Sequence, residues 1–174
     1  MTGLKAMNTP ASSARQRYAT PPALFREIER RFGGDGFTLD VCAEPWSAKC
    51  ARYFDEDMNG LAQDWRVLND SAEWEPARAF CNPPFDSIED WVTKGWNEVV
   101  AGNAELACFL LPPRLDQPWF HEVVRPHASV VHFLRGRVQF CPPPELGVKA
   151  KPSGNFEGSM VVVFQGPIVA SRFR

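Results

Sequence analysis

The feature that most constrains this chain is a series of short, almost wholly apolar runs separated by stretches of helical period. The runs are "FTLDVCA" (37–43), "ARAFC" (77–81), "LACFLL" (106–111), "ASVVHFL" (128–134) and "MVVVF" (160–164). A strand with one wet face alternates apolar and polar residues, whereas a strand apolar on both faces must be covered on both. The covers are visible in the sequence. In "YATPPALFREIERRFGG", Leu24, Ile28 and Phe32 fall on one helical face. Thr20 is placed to cap that helix, Pro21 or Pro22 suits its first turn, and Gly33-Gly34 end it. A second helix runs to about Ala101, with Ile88, Trp91, Val92, Trp96, Val99 and Val100 on one face and a capping-box-like start from Asp86 and Glu89. Residues 116–125 read as a third helix behind Asp116. Residues 44–76 are less regular, with short strands expected at 51–54 and 66–70. The alternation predicts an α/β fold, with a mixed, mostly parallel sheet flanked by helices on both sides. Its 174 residues suit one domain, 18–174, behind a small, polar, aperiodic arm at 1–17 that is expected to be flexible.

Composition narrows the classes further. Hydrophobic residues make up 44% and charged residues 23%, and no run of 18 apolar residues exists, so a soluble, cytoplasmic protein without a membrane span is expected. The five cysteines show no CxxC spacing, and His121, His127 and His132 are isolated, so neither a disulfide framework nor a metal centre is expected. Net charge is −2 but unevenly spread. Residues 1–26 carry four bases and no acid, 35–105 carry fifteen acids against five bases, and 106–174 carry eight bases against four acids. The two basic ends together are suited to meet a polyanion.

One turn stands apart. "ARAFCNPPFDSIEDW" passes from an apolar strand through Asn82-Pro83-Pro84-Phe85 directly into a helix. Two prolines make a stiff turn that donates no backbone hydrogen bonds of its own. In an open α/β sheet such a turn lies at the carboxyl end of a strand, where ligands bind. Asn82 carries a side-chain carbonyl and Pro83 a backbone carbonyl, and the two acceptors can converge on one amine. Phe85 adds a flat surface for a ring. An exocyclic amine on an aromatic base is a poor nucleophile because its lone pair is delocalised. Two acceptors favour a more tetrahedral nitrogen and stabilise the charge that develops there during attack on an electrophilic methyl group.

With these residues the chain resembles the phage-type DNA N6-adenine methyltransferases, the short Dam-like proteins often carried by prophages. The resemblance covers roughly residues 18–166. It rests on "YATPPALF", "FTLDVCAE", "AKCARYF", "NGLAQDW", "FCNPPF" followed by Trp91, "FLLPPR", "LRGRVQF" and "SGNFEGSMVVVF". It implies a single-domain Rossmann-like methyltransferase fold, S-adenosylmethionine as methyl donor and double-stranded DNA as substrate. The family's [DNS]PP[YFW] motif maps onto Asn82, Pro83, Pro84 and Phe85. Tyr is commoner than Phe at the fourth place. The resemblance points to Tyr18, Thr20 and Pro21 as the element closing the donor pocket, and to Asp40 and Ala43 near the end of the first strand. Asp55 or Asp57 is implied for the ribose hydroxyls and Asp64 for the donor's adenine amine. The usual glycine-rich FxGxG pattern is absent, and Cys42-Ala43-Glu44 takes that turn. Asn59-Gly60-Leu61 stands where relatives tend to have Asp-Gly-Leu.

A base inside a duplex cannot present its amine to such a pocket, so the target adenine is expected to flip out. Phosphate contacts are expected from Arg135, Arg137, Lys149 and Lys151, with Arg15 and Arg17 as further candidates. The loop 141–158 is the main candidate for reading DNA sequence, together with 44–76. Two other readings share the turn. One is a methyltransferase acting on a protein glutamine or an RNA base amine. The other is a catalytically silent DNA-binding relative.

Overall fold

The computed structural model describes residues 18–147, 153–154 and 157–166. The expected arm at 1–17 lies outside the described residues, as do Lys149, Lys151 and much of the loop at 141–158. In chain order the elements are α1 (Pro22–Phe32), β1 (Leu39–Asp40), β2 (Arg66–Leu68), β3 (Trp74–Cys81), α2 (Ile88–Ala101) and β4 (Ala104–Leu111). Next come a π-helical turn (Phe120–Val124), α3 (Arg125–His127), β5 (Val130–Phe133) and β6 (Gln139–Phe140). A 3₁₀ turn (Pro144–Leu146), β7 (Ser153–Gly154) and β8 (Met160–Gln165) complete the series. The main sheet has the order β1-β3-β4-β8-β5, with β2 antiparallel to the first part of β3. β1, β3 and β4 are parallel, and β8 is inserted antiparallel between β4 and β5. β6 and β7 pair in a separate two-stranded ribbon.

The apolar runs form a two-sided core, as expected. Along β4, Leu106, Cys108 and Leu110 join Phe25 and Ile28 of α1 on one face. Ala107, Phe109 and Leu111 join Trp91, Val92 and Val99 of α2 on the other. Each face thus takes every second residue, the two-residue period of a strand. The fold is the mixed α/β arrangement that the alternation predicts, and it is compatible with the Rossmann-like fold that the resemblance implies. Gly95 lets α2 lie close on β4, since a Cβ there would sit 2.4 Å from the Phe109 ring. The irregular segment is pinned to the same helix: Trp65 donates its backbone N–H to Glu98 Oε2 at 2.8 Å and its Nε1–H to the Gly60 carbonyl at 2.9 Å. Glu98 is itself buried and paired with Lys94 at 2.7 Å. Among the described residues no helix is long and apolar enough to cross a membrane.

Several local expectations are corrected. Thr20 does not cap α1: Pro21 is the N-cap and no side chain caps the end. The capping box of Asp86 and Glu89 is replaced by Ser87 as N-cap, again without a side-chain capping bond. Val100 is 65% exposed, because the helical step of about 100° carries it off the stripe that ends at Val99. Only Leu39 and Asp40 of 37–43 form a ladder, and 51–54 contributes a single bridge, Asp40 to Tyr53. The third helix opens as a π-helical turn, whose following residue, Arg125, donates to Phe120, and Pro126 behind it has no N–H to extend the ladder. β5 is an edge strand with one face partly buried, leaving Val131 and Phe133 exposed.

Candidate active site

Adjacent parallel strands end at one edge of the sheet, so the turns that leave them meet in space. Leu39 lies beside Ala79 and Asp40 beside Phe80, which brings the turns at 41–44 and 82–85 to the same edge. A cavity of about 280 Å³ opens there, at the carboxyl ends of β1 and β3. Its walls come from Val41, Cys42, Ala43 and Glu44, from Asn82 and Pro84, from Phe54, Asp55, Glu56, Asn59 and Gly60, and from Tyr18 to Thr20, with Ser47, Lys49 and Trp91 beside them.

The segment before α1 is woven into this edge. Ala19 exchanges two backbone hydrogen bonds of 2.9 Å with Cys141, just past β6. The Tyr18 carbonyl accepts Asn82 Nδ2–H at 3.1 Å. That bond fixes which end of the amide is which. Asn82 Oδ1 is left sealed from solvent with no hydrogen-bond partner. A buried acceptor without a donor costs about 1–3 kcal/mol, so each such group calls for a partner. Of the five buried side-chain atoms left this way among the described residues, three belong to Thr20, Asp40 and Asn82, all at or behind the cavity wall. The others are Trp46 Nε1 and Ser159 Oγ.

The four residues of the turn are not equivalent. No donor among the described residues reaches the Pro83 carbonyl. The Pro84 carbonyl accepts Ser87 N–H at 3.2 Å and the Phe85 carbonyl accepts Arg114 Nη1–H at 3.1 Å. The pair that the sequence singles out, Asn82 and Pro83, is therefore the pair left without a donor, but of the four turn residues only Asn82 and Pro84 line the cavity, and Pro83 is buried. Phe85 is half-buried, with Phe140 of β6 edge-on at 6.5 Å and the Arg114 guanidinium 5.8 Å from its ring centre.

Asp40 is the second buried group. Its Oδ2 accepts the Lys49 backbone N–H at 3.0 Å, while Oδ1 has no partner. Burial pushes its carboxyl up to about 7, against the pull of backbone N–H groups of Lys49 and Cys42. Lys49, on the cavity wall, has its ammonium pKa lowered by the same desolvation, which Asp40 partly opposes.

The structure sorts the remaining sequence candidates. Tyr18, Thr20, Ala43 and Asp55 line the cavity; Asp40 lies behind it. Pro21 does not line it, and its carbonyl starts α1 by accepting Phe25 N–H at 2.9 Å. Asp57 is exposed and off the wall. Asp64 points to the surface, ion-paired with Arg66 at 2.7 Å, which holds its carboxyl below the usual range. Arg135 and Arg137 are exposed on either side of Gly136, in the turn that leads into β6.

Sequence reasoning missed Glu44, Ser47, Lys49, Glu56, Asn59 and Gly60 as wall residues and read Trp91 as core alone. One signal was available, because Asn-Gly is a turn signature. Asn59 has φ 53°, in the left-handed region that Asn tolerates. A Cβ on Gly60 would lie 2.2 Å from the Val41 carbonyl oxygen, so only glycine allows this turn to press against the turn at 41–44.

Fold and site together define an α/β domain with a ligand crevice at its strand ends and a proline-stiffened turn on the crevice wall. The model of the family described as "DNA N-6-adenine-methyltransferase (Dam)" matches residues 7–171, and the chain belongs to that family. It is also 37% identical over 81 residues to "Putative methyltransferase YfdM" of Escherichia coli (strain K12), a match covering 45% of this chain and 84% of the relative.

Proposed function

We propose that this protein transfers a methyl group from S-adenosylmethionine to the N6 amine of an adenine flipped out of double-stranded DNA. The observation that carries the reading is the Asn82 amide, oriented by Tyr18 so that its oxygen is the atom left without a partner. An acceptor held in this way needs no reorganisation when charge develops on an amine.

The cavity's chemistry fits the donor. Its wall offers the Lys49 cation for a carboxylate, Asp55 for ribose hydroxyls and an unpartnered Thr20 hydroxyl, and the buried Asp40 carboxyl stands behind that wall for an ammonium. Tyr18 and Ala43 complete the wall. When bound, the donor supplies an electrophilic methyl on a sulfonium. Asn82 Oδ1 and the Pro83 carbonyl accept the two hydrogens of the amine and turn its lone pair toward that methyl. Pro84 stiffens the turn, and Phe85 offers its ring to the base, where stacking is worth about 1–3 kcal/mol against an unstacking cost of similar size. Arg135 and Arg137 meet phosphate, with Lys149 and Lys151 proposed for the same role.

The test is methyl transfer from labelled donor to unmethylated duplex DNA, RNA and protein, side by side. The expected product is N6-methyladenine in DNA, lost in Asn82→Ala with donor binding intact. Label in protein or RNA alone would replace the proposed substrate. No transfer and no saturable donor binding would mark a silent DNA-binding relative.

A further inference from the structure

The turn at 82–85 is stiff only as far as its prolines reach. Ring closure fixes φ at Pro83 and Pro84, but nothing covalent fixes φ at Phe85. Phe85 is held from elsewhere. Arg114, three residues past the end of β4 in "FLLPPR", donates Nη1–H to the Phe85 carbonyl at 3.1 Å. Its guanidinium carbon also lies 5.8 Å from the Phe85 ring centre. One planar group thus touches both the backbone and the ring of the residue.

Arg114 is itself aimed. Nε and Nη2 donate to the two carboxylate oxygens of Glu157 at 2.9 and 3.2 Å, the forked geometry that only a guanidinium provides. The base of the side chain is set by Arg114 N–H donating to the Pro112 carbonyl at 2.9 Å. Glu157 stands just before β8, at the end of the long loop expected to read DNA. An ion pair this exposed, 34% and 43% by side chain, contributes little to global stability. Its consequence is local.

We infer that Arg114 is a positioning residue that sets Phe85 for the target base, and that Glu157 sets Arg114 in turn. The inference rests on the proposed adenine methylation for its effect on turnover. The clamp itself can be judged without any activity.

Two readouts on the full chain test it. The first is backbone hydrogen exchange around Phe85 in the wild type, Arg114→Met, Arg114→Lys and Glu157→Gln. Arg114→Met should speed exchange there by about tenfold or more, with melting and donor affinity close to the wild type. Unchanged exchange around Phe85 would overturn the inference, whatever the wild type's activity. The second is steady-state methylation of duplex adenine. Arg114→Met should lower kcat by about tenfold or more, with Arg114→Lys restoring only part of it, because one ammonium cannot hold Phe85 and both Glu157 oxygens. Glu157→Gln should fall between the wild type and Arg114→Met. A rise in KM for DNA alone, fully rescued by Arg114→Lys, would mean a direct phosphate contact and would also overturn the inference. A wild type that methylates no adenine defeats the proposed function, while the exchange comparison still decides the clamp.

Discussion

The two turns that close the same end of the sheet are built by different means. At 82–85 the backbone is stiffened by covalent rings, and contacts from distant segments hold its two ends: Asn82 to Tyr18 and Phe85 to Arg114. At 41–44 there is neither proline nor glycine. That turn takes its shape from backbone bonds to neighbours, Val41 N–H to Phe80 and Ala43 N–H to Phe54, each at 3.0 Å, and from Gly60 pressed against it. Both leave a buried side-chain oxygen unpartnered, but one belongs to an amide and the other to a carboxyl that titrates. On the proposed function, the first turn would hold a neutral amine, and Asp40, just before the second, would meet a cation once it has lost its proton.

The largest effect is expected at the first turn. Asn82→Ala should cost about 10²–10³ in kcat, the range for removing one preorganised polar contact to a developing charge, while calorimetry finds donor binding unchanged. A variant that turns over normally would break the assignment of chemistry to this turn. Next comes the contact that shapes the second. Gly60→Ala drives a methyl group into the Val41 carbonyl, and we expect a loss of about 1–3 kcal/mol in denaturant unfolding together with weaker donor binding. Full stability and affinity would show that the two turns are shaped independently of 59–60.

The third expectation uses the titration of Asp40. Its folded-state value near 7 is raised from an ordinary 3.8, so the folded chain keeps a proton that the unfolded chain releases. Its contribution to stability is complete below 3.8, falls as pH rises toward 7 and is gone above it. Binding of a cationic group has the opposite slope, because it needs the carboxylate. Donor affinity should be about tenfold weaker at pH 6 than at pH 8, and Asp40→Asn should flatten that slope. A flat wild-type profile would remove Asp40 from the donor site. The smallest change is Phe85→Tyr, which keeps the ring and should leave kcat within about twofold, whereas Phe85→Ala should lose about tenfold through stacking. Equal damage by both would mean that the hydroxyl clashes and the ring is buried rather than offered to a base.

How much of the molecule was legible varies with the range of the forces involved. α1 and α2 were readable because Leu24, Ile28 and Phe32, and Ile88, Trp91, Val92 and Val99, repeat at a period that acts within one helix. The turn at 82–85 was readable because proline restricts the backbone at its own position. Asp55 and Asp57 were indistinguishable within a run of acids, and Asp64 was expected at the donor's adenine amine. Packing put Asp55 on the cavity wall, left Asp57 in solvent and gave Asp64 to Arg66. Lys49 gave no local signal, since its place depends on Asp40, nine residues earlier.

By itself, then, the sequence determined the layered α/β architecture, the two long helices and the stiff Asn-Pro-Pro-Phe turn, all of which come from periodicity and covalent geometry acting over a few residues. Only the tertiary structure decided that Tyr18 orients Asn82, that Gly60 buttresses the turn at 41–44, and that Arg114 and Glu157 hold Phe85. Those pairings join residues tens of positions apart. They exist because the parallel strands β1, β3 and β4 bring their carboxyl ends to one edge, where burial and hydrogen bonding select partners that no local pattern encodes.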